Sequence, residues 1–256
     1  MKRISLSFFI ICFAFQGIAQ QFFTSPGDKA VNKLGTILDA QIDYLYSIYY
    51  QKIGGVDELK NGREYIPYYP HSRLKPLLFV DQSRTASLLL NGRKYENLTL
   101  EYDTYSDAVI YYDTTKLINN RYYQIALNKD PIGFFTLYFG LDSLLFRYLQ
   151  FDDVDNTKLQ SGFYEIAYEG KSRYIIKHKS VVHEKDGVDE YFYSPAKYVL
   201  VGNEYFRIRS SRGFLKLFGE KTNQVKKYMQ SAPINIKNAE KRQIVNVLKY
   251  YDTLIP

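Results

Sequence analysis

From Asn61 to Phe218, apolar and polar residues alternate in short pieces separated by turn residues. The strand-like pieces are Leu98 to Tyr102, Ala108 to Tyr112, Tyr122 to Leu127, Gly133 to Phe139, Gly162 to Tyr168, Arg173 to Val182, Tyr198 to Val201 and Tyr205 to Arg209. They are rich in β-branched and aromatic residues, which suit a pleated, half-buried surface. Asn61-Gly62 and Asn91-Gly92 each open the phrase Asn-Gly-Arg-x-Tyr. Both are type I′ hairpin signals, because the two central positions of that turn need positive φ. Glu169-Gly170 and Gly202-Asn203 punctuate the later runs in the same way. Closely spaced strands with no helical pattern between them predict a mainly β chain. Its architecture is an antiparallel meander, sandwich or open barrel over residues 61–220.

Both ends of the chain depart from this pattern. Thr222 to Gln230 and Asn238 to Leu254 carry apolar residues at helical spacing. In the second, Ile244, Val247, Leu248 and Tyr251 share one face, with Lys241, Arg242, Asn246 and Lys249 largely outside it. Asn238 suits an N-cap, and Pro233 separates the two helices. A small helical appendage over 221–256 is therefore expected to pack on the β domain and shield part of it. Within the lead-in of 20–60, Ile42 to Tyr50 alternates as a strand does, while Leu34, Leu38, Ile42, Leu45 and Tyr49 also form a helical stripe. Its β-branched and aromatic content favours the strand.

Residues 1–19 read as a secretory signal peptide. Lys2 and Arg3 form a basic head, Ile4 to Phe15 is an apolar run, and Gly17 and Ala19 supply the small residues of a cleavage site. The run is too short for a membrane anchor. Cleavage after Ala19 and export to the periplasm or cell surface are expected. Cys12, the single cysteine, lies inside the signal, and Ile11 precedes it where a lipoprotein would carry a small residue. The mature chain then has no disulfide, and its stability must come from its core.

Composition narrows the class further. With 26 tyrosines, 17 phenylalanines and 46% hydrophobic residues, the chain is too apolar for a disordered secreted tail. Loss of Lys2 and Arg3 would lower the basic count from 34 to 32 against 27 acids, a net charge of about +5. That suits an anionic envelope surface. It is no nucleic-acid footprint, since the basic residues are scattered and the densest stretch, Lys171 to Lys185, is interleaved with apolar residues. No mature segment is long and apolar enough for a transmembrane helix. Abundant tyrosine would also fit the girdles of an outer-membrane barrel, but an amphipathic helical ending argues against one.

Candidate chemistry is sparse. His178 and His183, five apart in one predicted strand, would face opposite sides and not share a metal. His71 sits in a Tyr/Pro loop beside Arg73, and all three histidines read as surface or half-buried residues. The run Asp152-Asp153-Val154-Asp155-Asn156 reads as an exposed turn, because Lys158 and Tyr164 stand where an EF-hand loop needs Gly and Glu. Nucleophile-elbow, phosphate-loop and dinucleotide motifs do not occur. No catalytic residue is assigned, and neither a cofactor nor a metal is implied. The tyrosine pairs at 49–50, 68–69, 111–112, 122–123 and 250–251 would each give one ring to the core and one to the surface.

The text NGRKYENLTLEYDTYSDAVIYYD over Asn91 to Asp113 resembles a phrase of uncharacterised secreted proteins of Bacteroidetes. The ending LKLFGEKTNQVKKYMQ…NVLKYYDTL is similar to the close of proteins in that group, as is the Ile-Ala-Gln of the leader. The resemblance implies origin and compartment. It brings no activity, because none is assigned to that group. The expectation is an exported, non-catalytic envelope-associated protein that binds or assembles with an unidentified envelope component, protein or glycan. The alternative is a secreted glycan-directed hydrolase using two carboxylates.

Overall fold

The computed structural model describes Gln41 and residues 56–69, 71–79, 83–151, 159–231, 234–236 and 239–256. The chain divides into two units, Met1–Asp57 and Glu58–Pro256. The first is described only at Gln41, Val56 and Asp57. The signal reading of 1–19, the segment 42–50, the acidic run 152–156, Pro233 and Asn238 lie outside the described residues.

A short helix α1 (Val56–Leu59) precedes β1 (Gly62–Glu64), β2 (Arg84–Leu90), β3 (Arg93–Asp103), β4 (Ala108–Ile118) and β5 (Arg121–Leu127). Then come β6 (Ile132–Phe139), β7 (Asp142–Leu149), β8 (Gly162–Glu169), β9 (Arg173–Lys177), β10 (Ser180–Lys185), β11 (Val188–Tyr193), β12 (Ala196–Val201) and β13 (Glu204–Arg207). Eleven strands form one antiparallel sheet in the order β1-β5-β4-β3-β2-β6-β7-β8-β9-β12-β13, while β10 and β11 make a separate ribbon. The chain is thus mainly β and antiparallel, as its alternation predicts. It comprises two meanders joined where β2 pairs with β6.

The sheet is curled rather than flat. Tyr102 of β3 meets Phe163 of β8 with ring centroids 6.3 Å apart, and it also touches Phe135 and Phe146. A flat sheet would hold β3 and β8 about 19 Å apart, four strand spacings of about 4.8 Å. Curling brings the inward residues of β2 to β8 into one apolar core that includes Leu88, Leu100, Phe135 and Phe146. It does not close into a barrel, since β1 and β13 remain the two ends of the sheet.

A second core lies under the C-terminal helices α2 (Ser211–Lys216), α3 (Thr222–Ser231) and α4 (Lys241–Leu254). Ile244, Val247, Leu248 and Tyr251 of α4 are all buried there, against Tyr174, Ile176 and Val199 of the sheet. A helix of this length is marginal alone in water, so this packing is what holds it. Helix α4 starts later than the sequence suggests. Its N-cap is Glu240, in a capping box with Gln243, rather than Asn238. The helical ending also begins earlier, because α2 occupies Ser211–Lys216 inside the range read as β. Ser210 caps it by accepting from the Gly213 N–H.

Two local expectations change. Asn91 and Gly92 have φ of 51° and 75° and link β2 to β3, as the hairpin signal requires. Asn61-Gly62 is not a hairpin: neither residue has positive φ, and Gly62 opens β1 opposite Leu127 of β5. Glycine is needed there for close approach, since a Cβ would collide with the Ala126 carbonyl oxygen and stand 2.7 Å from the Ile125 side chain. Arg173 to Val182 is likewise not one strand. It breaks after Lys177, where the Ser180 N–H bonds the Thr104 carbonyl at 3.1 Å and carries the chain into the β10–β11 ribbon.

Candidate binding surface and its buried ion network

Asp103 closes β3 and is fully buried. Its Oδ1 accepts the backbone N–H groups of Tyr105 and Ser106 at 2.9 and 3.0 Å, an Asx-type turn that starts the link to β4. Its Oδ2 accepts the hydroxyls of Tyr65 and Tyr68 at 2.9 and 2.7 Å. Burial, followed by the Asp103 charge for Tyr65 and the Asp103 hydrogen bond for Tyr68, pushes both phenols far above their ordinary value. Both stay neutral donors at physiological pH.

Above this carboxylate the tyrosines form a surface. The Tyr68 ring lies 5.3 Å from Tyr69, 6.0 Å from Tyr105 and 5.6 Å from Tyr191, and Tyr105 and Tyr191 are 5.1 Å apart. Tyr68 and Tyr105 are 40% and 48% exposed, while Tyr69 and Tyr191 are buried beneath them. The Tyr191 N–H donates to the Leu74 carbonyl at 3.0 Å, which fixes β11 against the loop that carries Tyr68 and Tyr69. Rings from a loop, a turn and the ribbon thus make one aromatic face, locked from below by a carboxylate. Such a face offers flat apolar area with polar tips, suited to stacking on a sugar ring or packing on a partner's side chains.

Glu165 occupies the seam between the two cores. It lies opposite Phe146 of the first core on one side and Ile176 of the second on the other. Its Oε2 meets His178 Nε2 at 2.7 Å and its Oε1 accepts Lys241 Nζ of α4 at 2.6 Å. Burial alone would raise the Glu165 carboxyl, but the His178 and Lys241 contacts outweigh it and hold the group below the usual range. An ionised carboxylate only accepts, so Nε2 of His178 carries the proton. Nδ1 of His178 is bonded to the Tyr193 hydroxyl at 2.6 Å. Burial first, then the Glu165 charge, drives the Tyr193 phenol upward. Glu165, His178 and Tyr193 thus form a hydrogen-bonded clasp that joins β8, the link after β9 and the end of β11.

A second, half-buried ion pair ties β9 to the β3–β4 turn. Lys177 Nζ lies 2.7 Å from Asp107 Oδ1, and Asp107 also accepts the Tyr102 hydroxyl and, at 3.3 Å, Lys129. Burial lowers the Lys177 ammonium below its usual value, with Asp107 opposing the shift. Asp113 and Glu101 are engaged as well, by Lys60 at 3.5 Å and the Tyr112 hydroxyl at 2.6 Å. The buried acids of the sheet thus hold the structure together.

Of the three histidines, His178 alone departs from the expectation of a surface or half-buried residue. His178 is buried, in the link after β9, while His183 stands exposed on β10 with Phe192 edge-on at 5.3 Å; His71 is exposed. His183 helps line an open groove of about 590 Å³ with Val181, Phe192 and Tyr193. Among the described residues no three His, Cys, Asp or Glu side chains gather as a metal site. The tyrosine pair 68–69 divides into one exposed and one buried ring, and 111–112 into the two faces of β4. The pair 250–251 lies on a helix, Tyr250 stacked on Tyr228 and Tyr251 buried. Sequence reasoning missed Glu165, although its signal was present: in the alternation of β8 it shares the inward phase with Phe163, where a charge needs a partner. Comparison with protein-family models, with curated proteins and with solved structures finds no match.

Proposed function

We propose that this chain is an exported, non-catalytic binding or assembly protein of the cell envelope, acting through the aromatic face of Tyr68 and Tyr105, which Tyr69 and Tyr191 support from beneath. The observation that carries this reading is the face itself. Two large rings, 6.0 Å apart, stand together in water, and the buried Asp103 carboxylate beneath bonds the hydroxyl of one and the backbone N–H of the other. The leader-like first residues, the net positive charge and the resemblance to secreted Bacteroidetes proteins support the compartment.

Tyr105→Ala tests the reading, because that ring is exposed and its removal leaves Asp103 bonded. Envelope extract from the native host passed over immobilised chain should give a retained component that Tyr105→Ala loses at unchanged melting temperature. Equal retention by both proteins would refute the aromatic face as the binding surface. Turnover of an envelope polysaccharide by the wild-type chain, abolished by substituting two carboxylates, would replace the proposal with a hydrolase.

A further inference from the structure

The β4–β5 hairpin has a construction that the rest of the sheet lacks. Asp113 still pairs with Tyr123, but the next matched pair is Leu117 with Tyr122, so β4 carries three extra residues in a bulge. Asp113 pins that bulge by accepting the N–H and hydroxyl of Thr115 while pairing with Lys60. Bulges re-aim a strand. Beyond this one, residues 114–122 are exposed without interruption, so both faces of the ribbon stand in water. The turn itself is Asn119-Asn120, with φ of 50° and 61°.

Its tip carries Leu117, Ile118 and Tyr122, which are 64%, 42% and 46% exposed. Two cations flank them, Lys116 and Arg121, and neither pairs with a carboxylate among the described residues; Lys116 lies over the Tyr123 ring at 4.1 Å. From Thr114 to Lys129 the sequence contains no acidic residue. An apolar tip with an aromatic and two flanking cations fits the boundary between anionic headgroups and acyl chains. There the apolar atoms leave water and each cation gains about fivefold in partition. We infer that the β4–β5 hairpin is a membrane-contact element that seats its tip on an anionic lipid surface. This inference goes beyond the proposed function and is independent of the aromatic face.

The chain has no tryptophan, so Leu117→Trp reports on the tip alone. This matters because the apolar run Ile4 to Phe15 can bring the full chain to vesicles by itself. The expected result is a blue shift of the introduced tryptophan, with quenching by brominated acyl chains, on adding phosphatidylglycerol vesicles. Phosphatidylcholine vesicles should give neither. Adding Lys116→Glu and Arg121→Glu should abolish the shift, a loss of more than tenfold in partition. Leu141→Trp is the control: it places the probe at the exposed β6–β7 turn beside Asp142, and its emission should stay water-like. The inference is overturned if the Leu117→Trp emission is unchanged while the chain sediments with the vesicles. It is equally overturned if the shift survives charge reversal, or if Leu141→Trp shifts as much.

Discussion

Alkali is the perturbation that should separate this fold's tyrosines most sharply. Tyr65, Tyr95, Tyr102, Tyr164 and Tyr174 are each less than one-tenth exposed, and burial is the first cause raising every one of their phenols above 10.0. A phenol whose folded value is raised stabilises the fold fully below its unfolded value, and that contribution is lost as the pH climbs through the folded value. At pH 11, an unfolded tyrosine of value 10.0 gains about 1.4 kcal/mol by ionising, which its buried counterpart cannot. Five such residues amount to about 7 kcal/mol, comparable to the whole stability of a typical domain. Tyrosinate absorbance at 295 nm, followed alongside near-ultraviolet circular dichroism, should therefore show two phases. The early phase would leave the fold intact, and the buried set would appear in one cooperative step coincident with unfolding. Tyr174→Phe sharpens the test, because the Tyr174 hydroxyl is buried with no hydrogen-bond partner among the described residues. Its removal should leave neutral stability equal or higher by about 1 kcal/mol and move the alkaline midpoint upward. A single smooth titration of all 26 tyrosines with circular dichroism unchanged would refute the reasoning.

Three further outcomes follow from the packing. Leu248→Ala, at a fully buried position of α4, should cost about 3 kcal/mol, read as a melting temperature lower by about 6–12 °C. Glu165 titrates below its usual value when folded, so its stabilisation is present above pH 4.5 and fades as the pH falls through the folded value. Glu165→Gln should flatten the acid limb of melting temperature against pH and lower neutral stability by about 1–3 kcal/mol; an unchanged acid limb would contradict the clasp. Gly162→Ala should destabilise the chain by about 1–3 kcal/mol in a urea melt. Its φ is +155°, and a Cβ there collides with Lys177 Nζ and meets Asp107 Oδ2 at 2.5 Å.

The parts of this fold legible in the sequence were those decided by neighbours along the chain. The stripe of Ile244, Val247, Leu248 and Tyr251 became a buried helix face, and Asn91-Gly92 became a hairpin, because each pattern carries its own geometry. Asn61-Gly62 shows where local chemistry stops. The same dipeptide lies flat because a strand more than 60 residues away, β5, pairs with it. Arg84–Leu90 and Asp142–Leu149 do not read as strands in the sequence, since Leu88-Leu89-Leu90 and Leu144-Leu145-Phe146 break the alternation that marks a half-buried strand. The clasp was hidden for a related reason. Glu165 finds His178 thirteen residues on and Lys241 seventy-six residues on, distances at which spacing says nothing about contact.

The joint between β2 and β6 means that β2 takes its second partner from the later half of the sheet. The first meander can assemble as soon as Leu127 has appeared, since β2 to β5 are linked by short turns. Until β6 arrives, however, the outer edge of β2 presents unpaired backbone groups beside Ala86 and Leu88, residues that end fully buried. Half-finished sheets with an open apolar edge recruit other chains as readily as their own remainder. A chain that emerges slowly, amino end first, would dwell in that half-finished state. The edge of β2 is then what a holding chaperone has most to protect, and a delay in the arrival of β6 is what turns assembly into aggregation.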